Sequence, residues 1–284
     1  MNMQGKHVLI TGPTAGIGRG AALALAARGA TLTLLCRSPD KGRALALDVS
    51  AAGGVPPTVV TMDMASIASV RQAAQECLAL GRPVDVLLNN AGVINTRRRV
   101  TVDGFEETLA VNHFAPFLLT GLLLPAMLEA PGARIVNVSS GAHAFVRGMG
   151  FDDLQAERGY RTFREYGRSK LANILFTRSL AQRLADYPVT VNCLHPGAVS
   201  TSLGTQNGGL LSRLAPLLLK PFFRSPQEGA ATSIYLCSSD EVSGVSGKYY
   251  IDCKPAQPKP WALDEEAAAQ LWRVTEESVG FQYP

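Results

Sequence analysis

The residues with the clearest capacity for chemistry are a tyrosine and a lysine four positions apart. Tyr166 and Lys170 lie in a segment with helical periodicity, which places both side chains on one helix face. A free phenol has a pKa of about 10, and a nearby cation favours the phenolate. The spacing therefore predicts a tyrosine with a lowered pKa that exchanges a proton as a general acid or base. Such a pair alone is more often an exposed helix surface, so the surrounding sequence must decide.

A glycine-rich turn follows the first strand-like segment. Glycine allows a tight turn and a close approach of phosphate to backbone N–H groups, and the N-terminus of the alanine-rich helix that follows attracts an anion. This pattern after a first strand predicts a site for a dinucleotide pyrophosphate. Its candidate residues are Gly12, Thr14, Gly16, Ile17 and Gly18.

The end of the second predicted strand indicates which dinucleotide is bound. An acidic residue there would bond the ribose 2′-hydroxyl and repel a 2′-phosphate, whereas this chain has Cys36 and Arg37. A guanidinium pairs well with phosphate, so Arg37 favours NADP(H), with Arg19 as a helper; the alternative is a solvated arginine. Asp63, after the third strand, is a candidate to bond the adenine amine. Its alternative role is a helix N-cap, which Ser66 can also provide.

These motifs lie along an alternation of β-type apolar runs and helix-period segments. Strands are predicted at 7–11, 31–36, 58–62, 84–88, 134–138, 189–193 and 248–251, and helices at 17–28, 40–52, 67–80, 103–129, 163–186, 227–239 and 264–278. The alternation predicts a single α/β domain over residues 1–284, a Rossmann-type doubly wound parallel sheet of about seven strands with helices on both faces. Ligands of such sheets bind at the carboxyl ends of the strands. The proline-rich stretch 254–260 is predicted to be a connection.

Composition excludes several classes of function. A net charge of +4 with scattered Lys and Arg does not indicate nucleic-acid binding, and five widely separated cysteines indicate neither a disulfide framework nor a metal site. The N-terminus lacks the pattern of a secretory signal. The apolar run 117–124 between two prolines is too short to span a membrane. We therefore expect a soluble, cytoplasmic chain without a stable membrane span, and a homo-oligomer remains open.

With its motifs in order over nearly the whole chain, the sequence resembles the short-chain dehydrogenase/reductase family. Residues 89–92 match the family's Asn-Asn-Ala-Gly turn, Asn112 falls at its helix asparagine, and Ser139 and Ser140 end the fifth strand. The resemblance implies that Ser140 bonds the substrate oxygen, that Tyr166 exchanges the proton, and that Lys170 holds the nicotinamide ribose and acidifies the tyrosine. Asn112 would hold a relay water. The implied cofactor contacts also include Asn90, Ala91, Gly92, Pro196, Gly197, Val199 and Thr201.

A closer likeness is to the retinol-dehydrogenase-like branch, carried by segments 36–37, 101–106, 151–154, 169–173 and 247–250. It implies reduction of lipophilic carbonyls with NADP(H), although many relatives carry an N-terminal membrane anchor that this sequence lacks. The apolar, glycine- and proline-interrupted segment of about 201–226 is predicted to be a substrate lid, with a membrane contact or a dimer surface as alternatives.

The remaining polar candidates are weaker. Three arginines at 97–99 are interpreted as a solvated loop, or as an attractor of acidic substrates. The four histidines are interpreted as structural, with His143 the most plausible substrate contact.

The principal hypothesis is thus an NADP(H)-dependent carbonyl reductase or alcohol dehydrogenase. The alternatives are a non-catalytic NADP(H)-binding regulator and a nucleotide-sugar epimerase or dehydratase.

Overall fold

One eight-stranded sheet organises the chain, as seen in a computed structural model that describes residues 2–197 and 225–283. Its strand order is β3-β2-β1-β4-β5-β6-β7-β8. The strands are β1 (His7–Thr11), β2 (Thr31–Cys36), β3 (Thr58–Thr61), β4 (Val86–Asn89), β5 (Ala133–Val138), β6 (Val189–His195), β7 (Tyr249–Ile251) and β8 (Lys254–Ala256). The first seven are parallel, and β8 pairs antiparallel with β7. The fold is therefore the Rossmann-like α/β sheet that the alternation predicts.

Helices cover both faces of this sheet, which explains why its central strands are buried on both faces and lack the alternation of a half-exposed strand. Every residue of β1 and β4 is buried. The helices are α1 (Gly16–Ala26), α2 (Pro39–Ala51), α3 (Ile67–Leu78), α4 (Glu107–Leu128), α5 (Thr162–Arg183), α6 (Pro226–Ser238) and α7 (Glu265–Val279). Most predicted boundaries lie within a few residues of these.

The direction of strand progression reverses between β1 and β4. From β1 the chain proceeds outward to β2 and β3, and then returns to place β4 on the other side of β1. The loops after β1 and β4 therefore diverge and leave a crevice at their carboxyl ends. This crevice brings together segments that are about eighty residues apart in the sequence.

Helix α4 lies within the predicted helix 103–129, and its apolar stretch extends beyond the run 117–124 between the two prolines. Its two prolines do not end it: Pro116 lies at the start of the α-helical part that follows a π-helical segment, Ala110–Phe114, and Pro125 lies inside the helix. Its 22 residues are long and apolar enough to cross a membrane by length and composition, but 83% of the apolar window is buried within the fold. Burial in the core explains its apolar composition.

The proline-rich stretch after β7 forms an eighth strand instead of a simple connection. Asp252 and Cys253 both have positive φ angles, 51° and 60°, the combination found in tight type I′ hairpin turns. Neither is Gly or Asn, so the sequence carried no turn signal there. Pro255 is tolerated because β8 is at the edge of the sheet. The predicted count of about seven strands is thus one short.

Candidate active site

The turn after β1 is shaped by glycines that have no room for a side chain. Gly12 and Gly16 have positive φ angles, 62° and 53°. A Cβ on Gly18 would lie 2.3 Å from the Gly12 carbonyl oxygen. No side chain caps the N-terminus of α1, and its first turn contains no acidic residue. The first N–H groups of this helix are therefore available to an anion in the crevice.

Hydrogen bonds of two side chains, Thr11 and Asn90, join this turn to the turn after β4. The Thr11 hydroxyl oxygen accepts hydrogen bonds from the backbone N–H groups of Asn90 and Ala91, at 3.0 and 2.9 Å. The Asn90 amide donates to the carbonyl oxygens of Thr11 and Gly12, at 2.9 and 3.1 Å. Asn90 therefore holds the glycine turn in place, a structural role that is compatible with a position beside the cofactor.

Two cations, Arg37 and Lys41, line the crevice at the carboxyl end of β2. Lys41 lies in the first turn of α2, where the helix dipole disfavours a cation, and Ser38 caps that helix by accepting from the Lys41 N–H. Sequence reasoning missed Lys41, although a basic residue in a first helical turn was the available signal. Arg19, the predicted helper, instead forms a 2.7 Å ion pair with Asp48 and does not line the crevice.

Asp63 also lines the crevice. Its Oδ1 accepts a 3.0 Å hydrogen bond from the Ala65 N–H, which shapes the turn after β3. The N-cap of α3 is Ser66, whose hydroxyl accepts from the Ser69 N–H. The structure therefore excludes the helix N-cap role for Asp63, because Ser66 occupies that position.

Tyr166 and Lys170 lie side by side on α5, with the Lys170 Nζ 5.6 Å from the centre of the phenol ring. Lys170 is 3% exposed, and its Nζ donates to the Val138 carbonyl oxygen at 3.0 Å. Burial lowers the pKa of Lys170 to about 8. Burial also raises the pKa of Tyr166 to about 12, while a hydrogen bond with Ser140 opposes that shift.

The predicted lowering of the Tyr166 pKa is therefore wrong for this structure. The prediction considered the charge of the lysine but not the burial of the phenol. Removing water from around the phenol disfavours the phenolate. At neutral pH the phenol is protonated and able to donate its proton.

The two serines after β5 have different partners. The Ser139 hydroxyl is buried and donates to the Lys170 carbonyl oxygen at 2.7 Å, which ties the strand to α5. Ser140 bonds the Tyr166 side chain and accepts from the Ala142 N–H at 3.1 Å. Of the pair, Ser140 is the one placed beside the phenol.

Asn112 lies in the π-helical segment of α4 and is completely buried. Its Oδ1 accepts from the Val93 N–H at 2.8 Å, and its Nδ2 donates to the Val93 carbonyl oxygen and to the Ser169 hydroxyl. A Cβ on Gly92 would meet both the Asn112 Oδ1 and the Lys170 Nζ. The Asn112 side chain is thus occupied by protein partners, and its relay role stays a prediction.

A cleft of about 490 Å³ contains most of the predicted cofactor residues. The predicted cofactor residues that line this cleft are Gly12, Thr14, Gly16, Ile17, Gly18, Arg37, Asp63, Asn90, Ala91, Gly92, Tyr166, Lys170 and Pro196. Residues that the prediction missed include Lys41, Met62, Met64, Val93, Glu107 and Val138. Gly197 does not line the cleft and has a positive φ of 83°. Val199, Thr201 and almost all of the predicted lid lie outside the described residues.

His143 is not available to a substrate. Its Nδ1 bonds the Ser140 carbonyl oxygen at 2.8 Å, and its Nε2 accepts from the Lys259 N–H at 3.2 Å. Burial lowers its pKa, in keeping with a neutral ring that accepts at Nε2.

Among the three arginines at 97–99, Arg98 is fixed by a hydrogen bond that its Nε donates to the Gln155 carbonyl oxygen at 2.9 Å. Within the described ranges, no cluster of three His, Cys, Asp or Glu residues could hold a metal ion.

The fold and cleft agree with what comparison with known proteins finds. The family model for short chain dehydrogenases matches residues 6–208, so the chain belongs to the short-chain dehydrogenase/reductase family of oxidoreductases. Within it the chain is retinol-dehydrogenase-like: it is 45% identical to mouse (Mus musculus) retinol dehydrogenase 14 over 98% of this chain and 87% of that protein.

Two solved structures are similar over most of the chain. An uncharacterized protein from Mycobacterium paratuberculosis has a TM-score of 0.81 and 31% identity, covering 100% of this chain and 96% of its own. An NAD(P) dependent gluconate 5-dehydrogenase from Beutenbergia cavernae, solved with bound NADP, has a TM-score of 0.70 and 29% identity, covering 88% and 96%.

Proposed function

We propose that this enzyme is an NADP(H)-dependent oxidoreductase that interconverts a carbonyl and an alcohol on a lipophilic small molecule, with Tyr166 as the proton donor and acceptor. The observation that carries the proposal is the position of Tyr166 in the lining of the cleft, where its side chain bonds Ser140 and its ring centre is 5.6 Å from the Nζ of the buried Lys170. A phenol flanked in this way has the partners that proton transfer to a carbonyl oxygen needs.

The cleft fits a dinucleotide with an additional phosphate. Gly18 lets α1 begin in close contact with the Gly12 carbonyl oxygen and the Asn90 amide, and the uncapped N-terminus of α1 offers N–H donors for a pyrophosphate. Arg37 and Lys41 provide two cations at the position where an acidic residue would select against a 2′-phosphate. When bound, the nicotinamide supplies or accepts the hydride.

The residues of the chain handle the proton. Ser140 would hold the substrate oxygen by a hydrogen bond, and the Tyr166 hydroxyl would donate its proton to that oxygen during reduction. The pKa of about 12 keeps Tyr166 protonated before the reaction. In the oxidative direction the phenolate would accept the alcohol proton. Lys170 would stabilise that phenolate when its own amine is charged, and Asn112 would hold a relay water.

A lipophilic substrate is supported by the relatives. The retinol dehydrogenase to which the chain is similar is named for a hydrophobic alcohol, and the likeness extends over 98% of this chain. The family membership itself leaves the substrate open, so the substrate class rests on this likeness.

The experiment compares wild-type enzyme with Tyr166→Phe. NADPH oxidation is followed with a panel of aldehydes and ketones, and NADPH binding is followed by fluorescence titration. We expect turnover by the wild type, a loss of kcat by at least about a hundredfold in the variant, and little change in NADPH affinity. Turnover that survives in the variant would refute the role of Tyr166. Binding of NADPH without turnover of any carbonyl by the wild type would favour a regulator.

A further inference from the structure

Two phenylalanines in mutual contact are exposed beside the candidate active site. Phe145 is 64% exposed and Phe163 is 66% exposed. Their ring centres are 6.2 Å apart with an interplanar angle of 88°, an edge-to-face arrangement. Single exposed apolar residues are ordinary on protein surfaces, but two aromatic rings that share one exposed patch need a reason.

The position of Phe163 on α5 relates this patch to the reacting group. Phe163 precedes Tyr166 by three residues and Lys170 by seven, so all three lie on one helix face. Their order along this face is Phe163, Tyr166, Lys170. The dinucleotide cleft includes Tyr166 and Lys170 but not Phe163. The aromatic pair therefore lies on the N-terminal side of Tyr166 along α5, outside the lining of the cofactor cleft.

The backbone under Phe145 is firmly held, so its exposure does not come from a loosely packed loop. The short helix Gly141–Phe145 is capped by Ser140. Trp261 donates from its indole Nε1 to the His143 carbonyl oxygen at 3.0 Å. A Cβ on Gly167 would lie 2.8 Å from the Ala142 carbonyl oxygen, which shows how closely this segment packs against α5.

We infer that Phe145 and Phe163 form an aromatic shelf that binds the apolar part of the substrate, the long alkyl or polyene chain beyond its reacting carbonyl. The inference rests on the proposed function and adds the residues that select for chain length. Ser140, five residues before Phe145, would hold the oxygen, and the chain would extend from Tyr166 across the two rings.

The test measures chain-length selectivity in Phe145→Ala, Phe163→Ala and the double variant. Propanal and decanal are compared as substrates at saturating NADPH. We expect the KM for decanal to rise about tenfold in the double variant, while the KM for propanal changes less than twofold and kcat is retained. Tyr187→Ala is the matched control, because this half-exposed aromatic residue lies just before β6, at the amino ends of the strands and away from the cleft at their carboxyl ends, and should leave both KM values unchanged.

A binding measurement keeps the inference separate from the proposed reaction. Methyl nonyl ketone and methyl ethyl ketone are titrated onto Tyr166→Phe protein, with and without the two Phe→Ala changes. Selective loss of affinity for the longer ketone supports the shelf even if no carbonyl is turned over. Unchanged selectivity in both measurements would overturn it. If the two Phe→Ala changes left the selectivity between the ketones unchanged but weakened binding of the protein to phospholipid vesicles, the patch would instead be a membrane contact.

Discussion

Replacing the buried Lys170 by methionine should make the protein more stable while removing its activity. Burial lowers the pKa of this lysine from 10.5 to about 8. One pKa unit corresponds to about 1.4 kcal/mol, so the folded state loses about 3 kcal/mol by holding the charged amine near pH 7. Methionine is similar in length, apolar and uncharged, and removes this cost.

The gain is reduced by a lost hydrogen bond. The Lys170 Nζ donates to the Val138 carbonyl oxygen at 3.0 Å, a bond worth about 1 kcal/mol. That oxygen still accepts from the Asn173 Nδ2 at 3.4 Å, so it is not left without a partner. The expected net gain for Lys170→Met is therefore about 2 kcal/mol near pH 7.

The gain should depend on pH in a defined direction. Below a pH of about 8 the lysine is charged in both states, and the full cost is present. Between about 8 and 10.5 the folded protein releases the proton while the unfolded chain keeps it, so wild-type stability rises with pH relative to the variant. Near pH 9.5 the remaining cost is about 1 kcal/mol, which the lost hydrogen bond cancels.

Urea unfolding of the cofactor-free proteins at about pH 7 and about pH 9.5 measures both effects. Lys248→Met provides the control, because Lys248 is exposed and its replacement should change stability little at either pH. A Lys170→Met protein that is less stable than wild type, or one whose advantage is the same at both pH values, would refute the reasoning from burial.

Three further predictions concern the cofactor turn, the cofactor cation and the support of α5. In Gly18→Ala the new Cβ would overlap the Gly12 carbonyl oxygen. We expect NADPH affinity to fall by at least about tenfold in a fluorescence titration, and the thermal unfolding midpoint to fall as well. Arg37→Glu should weaken NADPH binding by about 10- to 100-fold and leave NADH affinity unreduced, whereas Arg19→Glu should change neither. Arg168→Met should cost about 3–5 kcal/mol in urea unfolding, because the Glu165 Oε2 loses its 2.8 Å partner and the carbonyl oxygens of Gly150 and Asp153 lose a donor, although Arg164 still pairs with Oε1; a loss below about 1 kcal/mol would contradict this.

Local sequence pattern was sufficient for the elements that depend on local contacts. Helices and strands alternate with periodicities set by which residues face the core, so the positions of β1, β2 and α1 were predictable within a few residues. The glycine turn was also predictable, because a positive φ at Gly12 requires a residue without a Cβ.

Choices between similar neighbours required the tertiary structure. Ser139 and Ser140 have the same chemistry, and only the packing of β5 against α5 directs one hydroxyl to a backbone carbonyl and the other to Tyr166. The sequence signal for Lys41, a cation in a first helical turn, did not by itself indicate a ligand, and the fold makes Lys41 a candidate by placing it with Arg37 in the lining of the cleft. The turn at Asp252 and Cys253 carried no signal, because its conformation is imposed by the pairing of β7 with β8.

The sequence by itself determined the class of fold and predicted a place for the dinucleotide and a tyrosine–lysine pair, because each depends on residue type and spacing along one strand, turn or helix. The tertiary structure alone decided how easily that tyrosine ionises and which groups surround it. Solvent exclusion around Tyr166 and Lys170 is produced by segments distant in the chain, and no local pattern records how much water their packing removes.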